Sequence, residues 1–197
     1  RAGDEVGKEV YDKYVKYLAT GVANLINIFQ PEVISLGGEC KEVMIYLGGG
    51  EPTLSATAVG RGRVEFRRAE LAAVASPEEF AKDEYRYLVI PDVSLQKARI
   101  VANALQGVAD VWSNNSFGFA RELPEGVLGR VERIERIEIF DIKSLKRELK
   151  GKGVDIILRD FPMGVDELRK RTASRSGNEK RIALTRIAGK SYTIYLA

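Results

Sequence analysis

The chain of 197 residues is 45% hydrophobic and carries 31 Lys and Arg against 28 Asp and Glu, so it can bury one large core or two small ones. Its single cysteine excludes an internal disulfide, and the absence of histidine excludes a Cys/His zinc site and every Ser-His-Asp arrangement. No apolar run reaches the roughly 18 to 20 residues of a membrane span and no signal segment opens the chain, which predicts a cytoplasmic protein with no membrane partner. Because the first residue is Arg1, we expect a piece of a longer protein.

The first 38 residues are predicted to form one long helix and a strand. Apolar residues recur at intervals of three and four over residues 4–29, with Lys8, Lys13 and Lys16 mostly on the other side. Pro31 ends this helix, and residues 33–36 read as a buried strand.

The segment LATGVANLINIFQPEVISLGG, residues 18–38, is similar to the helix-strand-glycine segment near the end of sugar kinases of the ROK family. The rest of what such a kinase needs is missing: its aspartate base, its N-terminal phosphate loop and its zinc-binding cysteine and histidine cluster. After Gly38 the chain continues as GECKEV, where the family has a third glycine and more helices. This resemblance leaves a ROK-type sugar kinase fragment, or a fusion containing one, as an alternative interpretation.

Residues 39–126 are predicted to be a mixed α/β linking region. Three short strands form a meander, at residues 43–47, 53–59 and 63–66. The glycine triplet at residues 48–50 lies between two of them and opens no helix, which favours a hairpin turn over a phosphate loop. Cys40 has no histidine to activate it, so we interpret it as structural.

The second part of this region is predicted to alternate helices and strands. The predicted elements are a capped helix from Ser76-Pro77, a strand at 85–90, a helix from Asp92 or Ser94 to Gly107, a turn at 114–116, and a strand containing Phe117 and Phe119.

Residues 127–197 are predicted to follow the order β-α-β-α-β-β. A strand at 131–140 leads to Asp141, which can cap a helix that begins at Ile142 and ends at glycines 151 and 153. A strand at 156–158 then precedes a helix with acidic residues in its first turn and basic residues in its last, as the helix dipole favours. A hairpin of residues 181–187 and 191–196 closes the chain.

These residues carry a second resemblance. VERIERIEIFDIKSLKRELKGKGVDIILRDFPMGVDELRKRT followed by IALTRIAGKSYTIYLA resembles the C-terminal THUMP-like region of class I S-adenosylmethionine-dependent methyltransferases. The resemblance extends back through YLVIPDVSLQKARIVANAL and GECKEVMIYLG, so it spans about residues 35–197. It implies an α/β (α+β) fold with a C-terminal THUMP-like two-layer domain at 127–197, after the ROK-like segment at 1–38 and the linking region at 39–126.

The resemblance also implies a function. The full-length family uses S-adenosylmethionine (SAM), but its catalytic core would precede the region seen here. We therefore predict no catalytic, cofactor-binding or metal-binding residues in this chain, and we expect it to be inactive alone. The implied role is an RNA-binding accessory region of an RNA methyltransferase, with tRNA or rRNA and a missing methyltransferase core domain as partners.

The charge distribution indicates where RNA would bind. From Arg121 onward, 18 Lys and Arg stand against 12 Asp and Glu, a net of +6 that attracts polyanions. The candidate RNA-binding residues are Lys143, Lys146, Arg147, Lys150, Lys152, Arg159, Arg169, Lys170, Arg171 and Arg175. A merely solvated face on a structural interaction domain is the alternative. Tyr192 and Tyr195 are weak candidates for base stacking, whereas Phe140 and Phe161 are predicted to be core.

Overall fold

The computed structural model describes the backbone of residues 5–29, 33–38, 41–46, 53–58, 60–71 and 76–197. Of these residues, the side chains are described at 8–21 and, apart from Arg68, at 53–58, 60–71 and 76–197. The chain separates into two compact units, residues 1–51 and 52–197. The predicted boundary at residue 38 therefore falls inside the first unit, and the one at residue 126 falls inside the second. Cys40 and the glycine triplet at 48–50 lie outside the described residues.

The first unit contains one helix and one hairpin. Helix α1 spans Glu5–Phe29, and strands β1 (Val33–Gly38) and β2 (Lys41–Tyr46) pair antiparallel. The predicted helix and first strand are confirmed. Along residues 8–21 every side chain is exposed, including Tyr14 and Tyr17, so the predicted apolar stripe is uncovered over this stretch. No described helix has the length and apolar character needed to cross a membrane.

The second unit begins with the predicted hairpin of β3 (Thr53–Ala58) and β4 (Gly62–Arg67), followed by a 3-10 turn. The helix predicted at Ser76-Pro77 is wrong, because residues 78–84 form bends and turns. The carbonyl of Pro77 accepts a hydrogen bond from Trp112 Nε1 at 3.0 Å, and the Phe80 ring packs edge-on against the Trp112 ring. These tertiary contacts replace the local hydrogen bonds of a helix.

An eight-stranded mixed sheet dominates the second unit. Its strands are β5 (Tyr87–Pro91), β6 (Asp110–Val111), β7 (Gly118–Ala120), β8 (Gly129–Ile139), β9 (Gly153–Leu158), β10 (Arg175–Ser176), β11 (Lys180–Ile187) and β12 (Lys190–Leu196). The spatial order is β10-β9-β11-β12-β8-β5-β7-β6. Helices α4 (Ile142–Leu149) and α5 (Val165–Thr172) follow β8 and β9, so the predicted β-α-β-α-β-β order is confirmed with only β10 added.

The single helix predicted after Asp92 is two shorter ones, α2 (Val93–Ala98) and α3 (Val101–Ala104). Asp92 caps α2 as predicted, accepting a hydrogen bond from the Ser94 amide at 2.9 Å. The break occurs at Arg99, whose φ of 57° is left-handed. Asn114 Oδ1 accepts a hydrogen bond from the Ala102 amide at 3.1 Å, so a distant turn satisfies a donor that a continuous helix would have used internally.

The sheet curls around its inner face. Ser116, two residues before β7, shares a buried 3.2 Å hydrogen bond with Thr185 on β11. In a flat sheet β7 and β11 would lie four strand spacings, about 19 Å, apart. Curling brings them together, and the enclosed inner core draws on both halves of the sheet: Tyr85, Leu88, Ile90, Phe117, Phe119, Ile134, Ile137, Ala183, Ile187, Tyr192, Ile194 and Leu196.

Helices cover the outer face. Leu145 and Leu149 of α4 and Leu168 of α5 pack on alternate residues of β9, β11 and β12. The two helices also contact each other, and both pack on this one face of the sheet. A separate cluster packs α2, α3 and the β3–β4 hairpin around Val89. The mixed α/β class is confirmed, and residues 129–197 share one sheet and one inner core with residues 85–120.

Candidate nucleic-acid interface

Helix α4 presents a continuous row of cations to solvent. Asp141 caps the helix by accepting hydrogen bonds from the amides of Ser144 (2.9 Å) and Lys143 (3.3 Å), and these bonds hold the pKa of Asp141 below its ordinary value. Because Leu145 and Leu149 are buried, the residues on the opposite side must face outward. We call these the basic stripe, and they are Lys143, Lys146, Arg147 and Lys150.

The basic stripe contains no acidic residue. Its members follow the spacing i, i+3, i+4, i+7, so they lie in one line about 10 Å long on the helix surface. Arg147 donates a hydrogen bond to Ser144 Oγ at 3.0 Å. Within the described part of the chain, Lys146, Arg147 and Lys150 form no ion pair. Four neighbouring cations with no carboxylate among them form a surface suited to a polyanion.

On the side of α4 away from the basic stripe, an arginine of the sheet forms an ion pair with the helix. Arg136 of β8 donates to both oxygens of Glu148 at 2.7 and 2.8 Å, and its guanidinium lies 3.5 Å from the centre of the Tyr195 ring. Burial alone would raise the pKa of Glu148, but the hydrogen bonds from Arg136 and Tyr195 lower it. Burial, followed by the hydrogen bond to Glu148, raises the pKa of Tyr195. This cluster fixes the rotation of α4 and keeps the basic stripe outward.

Helix α5 has a different surface. Leu168 and Thr172 are buried, so the exposed side carries Asp166, Glu167, Lys170 and Arg171. Glu167 and Arg171 form an i, i+4 ion pair at 2.7 Å. Two acidic and two basic residues give this face no net charge. Lys170 and Arg171, two of the candidate RNA-binding residues, therefore lie on a face whose charges cancel.

Arg169 belongs to the packing of α5 against the sheet edge. It is partly buried, and its Nη2 lies 3.4 Å from the Val154 carbonyl oxygen and 3.5 Å from Ser176 Oγ. A guanidinium directed at the backbone of β9 is poorly placed to contact RNA.

The ends of α4 and α5 meet. The Gly151 amide donates to the Ala173 carbonyl, and the Arg175 amide donates to the Lys152 carbonyl, both at 2.9 Å. Lys152 is partly buried, and the exposed Arg175 forms a 2.6 Å ion pair with Glu179. The hydrogen bond that Arg175 donates to Glu179, together with one from the Gly153 amide, holds the pKa of Glu179 below its ordinary value.

Arg159 lies away from the other candidate residues. Its amide continues the β9–β11 ladder by donating to the Leu184 carbonyl at 3.1 Å. Side chains alternate along a strand, so Arg159 shares the inner face with Ile157, which packs on the inner core. The helices cover the other face. The prediction that Arg159 joins the helix cations is therefore wrong.

The aromatic candidates are core residues. Tyr192 and Tyr195 point to opposite faces of the sheet, and only 8% and 3% of their surfaces are exposed, so neither can stack on a base. The rings of Phe140 and Phe161 meet edge-on, with centroids 5.1 Å apart, beside the core under α4 and α5, which confirms the prediction for them.

Comparisons with known proteins find two families on this chain. Residues 129–197 match the family described as "THUMP domain-like", and residues 1–56 match the ROK family. The fold therefore ends in a THUMP-like C-terminal domain. The THUMP-like part of the one resemblance is confirmed over 129–197, a shorter range than 35–197, and the ROK resemblance is confirmed over 1–56, a longer range than 18–38. No curated protein matches the chain.

A solved structure shares the fold more widely. The crystal structure of a "putative methyltransferase" from Porphyromonas gingivalis W83 superposes with a TM-score of 0.63 over 79% of this chain, at 21% sequence identity. The match covers 41% of that protein, so the chain spans less than half of its length.

Proposed function

We propose that this chain is the RNA-binding accessory region of a SAM-dependent RNA methyltransferase, with tRNA or rRNA as its partner and the catalytic core outside this sequence. The observation that carries the proposal is the basic stripe on α4, of which Lys146, Arg147 and Lys150 form no ion pair with a described residue, within residues similar to THUMP-like domains. The fold shared with a structure described as a methyltransferase supports the same assignment. A cytoplasmic location accompanies it as a prediction.

The stripe favours backbone recognition over sequence reading. Lysine and arginine gain affinity by displacing counterions from phosphates, and this gain does not depend on the bases. Base-specific RNA recognition uses exposed aromatic side chains, and the aromatic residues nearest α4 are buried or partly buried in its core. We therefore expect similar affinity for unrelated RNA sequences.

Charge reversal on α4, with a matched reversal on α5, tests the proposal. Lys146→Glu/Arg147→Glu should weaken RNA binding and reduce the log-log salt slope by roughly 0.7 to 0.9 for each phosphate that the protein no longer neutralises. Lys170→Glu/Arg171→Glu, on a face that already has no net charge, should have a clearly smaller effect. Fluorescence anisotropy with single-stranded and duplex RNA at several salt concentrations measures both variants.

Two outcomes would contradict the proposal. If the wild-type chain shows no salt-dependent RNA binding at low ionic strength, the stripe is a solvated surface and the structural interaction domain is the better description. If α5 reversal weakens binding as much as α4 reversal, net charge alone controls the interaction and the stripe has no special role.

The strand-to-helix connections of residues 76–197 do not fit a SAM site. Such a site uses a glycine-rich loop between a strand and a helix. In residues 76–197 the three strand-to-helix connections contain Asp92, Phe140-Asp141 and residues 159–164, and Gly164 is the one glycine among them. Calorimetric titration with SAM should therefore give no saturable heat, and micromolar binding would show that another part of the chain forms a cofactor site.

The ROK match supports a second candidate. Residues 1–56, which include α1 and the β1–β2 hairpin, would then derive from a sugar kinase or from a fusion with one. The coding sequence upstream of Arg1 separates the candidates. A glycine-rich methyltransferase core there supports the first proposal, whereas a phosphate loop and sugar site support the second.

A further inference from the structure

Arg159 is partly buried and has no acidic partner among the residues that the structure describes. Its Nη1 donates only to the carbonyl of the preceding residue, Leu158, at 3.3 Å. Its Nε is buried and has no hydrogen-bond partner among the described residues. A buried guanidinium donor left unpaired costs free energy, so an ion or ligand that accepts from it is the physical expectation.

Arg130 approaches Arg159 from the other half of the sheet. Arg130 pairs with Ile90, a residue of the inner core, so its side chain also starts on the inner face. The curl of the sheet brings the two halves together. Ser116, two residues before Gly118, which is level with Val131 across β5, hydrogen-bonds to Thr185. Thr185 follows Leu184, whose carbonyl accepts from the Arg159 amide, so the start of β8 comes near Arg159. After burial, the charge of Arg130 is the second cause that lowers the pKa of Arg159.

Neighbouring arginines on these strands have the partners that this pair lacks. Arg181, on the same inner face, contacts Glu132 at 3.1 Å and Asp155 at 2.9 Å. Arg186 lies 3.9 Å from Asp160. In contrast, no carboxylate of the described residues lies within 4 Å of the guanidinium of Arg130 or Arg159. Two close like charges are therefore uncompensated at a position where the fold compensates other arginines.

We propose that Arg130 and Arg159 together bind a phosphate group. The planar guanidinium offers paired N–H donors that match the oxygens of a phosphate, and one phosphate would both satisfy Arg159 Nε and neutralise the two like charges. The site is on the inner face of the sheet, whereas the basic stripe is on α4, which packs on the outer face. It therefore does not depend on the proposed RNA-binding function. The phosphate is either a free anion or a phosphodiester of a nucleic acid.

Thermal unfolding of the full chain in potassium phosphate, compared with potassium chloride at equal ionic strength, tests the site. Wild type should be more stable in phosphate, as a ligand that binds only the folded state stabilises it. Arg159→Gln and Arg130→Gln should each weaken phosphate binding about tenfold or more, the loss expected from one charge-assisted hydrogen bond. Arg171→Gln, an exposed arginine of α5, is the matched control and should respond like wild type.

Arg130→Gln gives a sharper result, because Arg130 is exposed and its loss should not prevent folding. In chloride this variant should unfold at a higher temperature than wild type, since one of two repelling charges is gone. In phosphate, the melting temperature of Arg130→Gln should be equal to or lower than that of wild type. Equal phosphate and chloride stabilities for wild type, or an equal phosphate response in all variants, would overturn the proposal.

Competition identifies the source of the phosphate. If the site takes a phosphodiester, inorganic phosphate should compete with RNA for wild type but not for Arg159→Gln, with the basic stripe unchanged in both. If the site takes a free anion, RNA affinity should be the same in wild type and Arg159→Gln. Both results are consistent with a phosphate site at Arg130 and Arg159. A variant of the basic stripe that no longer binds RNA should still be stabilised by phosphate as wild type is.

Discussion

Helices α4 and α5 pack side by side on one sheet face and have similar numbers of basic residues, yet they present different surfaces. The cations of α4 fall on one stripe that contains no acidic residue, whereas those of α5 share their face with Asp166 and Glu167 or, like Arg169, turn toward the sheet. The comparison shows that the number of lysines and arginines in a segment does not define a binding surface. Their positions around the helix, and the acidic residues beside them, decide it.

The buried sides of the two helices should respond alike, and here we expect the largest effects. Leu149→Ala in α4 and Leu168→Ala in α5 each remove a fully buried side chain from the same core. Each should lower the free energy of unfolding by about 2 to 5 kcal/mol. Urea denaturation followed by circular dichroism measures this change. A decrease at only one position would mean that the two helices do not share a single cooperative core.

An ion pair, between Arg136 and Glu148, attaches α4 to the sheet, whereas no ion pair among the described residues attaches α5 to it, so the next effect should separate the helices. Arg136→Met removes the partner of the partly buried Glu148 and should cost about 1 to 2 kcal/mol after solvent screening. Removing the exposed pair of α5 with Glu167→Gln should change stability by less than about 0.5 kcal/mol. Equal effects in denaturant titrations would contradict a special role for Arg136.

The same attachment predicts a pH dependence. The pKa of Glu148 is lower in the folded chain than the ordinary value of about 4.3, so the unfolded state binds more protons in acid. The stabilisation is present above that ordinary value and is lost as the pH falls through the lower folded value. Wild type should therefore lose more stability than Glu148→Gln below about pH 4.3. Parallel melting-temperature curves for the two proteins would exclude this contribution.

Local sequence rules predict this C-terminal region well where local interactions decide the structure. The Asp141 cap, the leucines of α4 and the hairpin of β11 and β12 were predictable because each depends on residues close in sequence. The break at Arg99 and the loop at Pro77 were not, because Asn114 and Trp112 supply distant hydrogen bonds.

The candidate binding residues likewise divide into those that local sequence rules predict and those that depend on tertiary structure. The basic stripe is readable from the spacing on α4, and the i, i+4 pair of Glu167 and Arg171 already signals that α5 carries compensated charge. The position of Arg159 on the inner face, and its closeness to Arg130, depend on the curl of the sheet. No local pattern in the sequence reports that curl.

The N-terminal caps of the two helices should have smaller effects on stability. Asp141→Ala should lower the melting temperature, because the Lys143 and Ser144 amides lose their acceptor, while Asp141→Asn should retain most of the stability since its amide oxygen can accept. We expect the effect of Asp141→Ala to be smaller than that of either leucine change. If the alanine and asparagine variants melt together, the hydrogen bonds of the cap contribute nothing measurable.

The smallest predicted effect is a gain of stability in α5, which lacks the side-chain cap that α4 has. Gly164 occupies the cap position with φ −79° and ψ 161°, an extended conformation open to any residue, and an added Cβ would meet no atom within 4 Å. Gly164→Ser supplies a hydroxyl acceptor for the first-turn amides and reduces the freedom of the unfolded chain, so it should stabilise by roughly 0.5 kcal/mol. Gly151→Ser is the matched control: this glycine follows α4 with φ +74°, where a side chain is strained, and the same substitution should destabilise. Opposite signs in denaturant titrations support the comparison, whereas a decrease of stability at both glycines would show that the start of α5 does not accept a capping side chain.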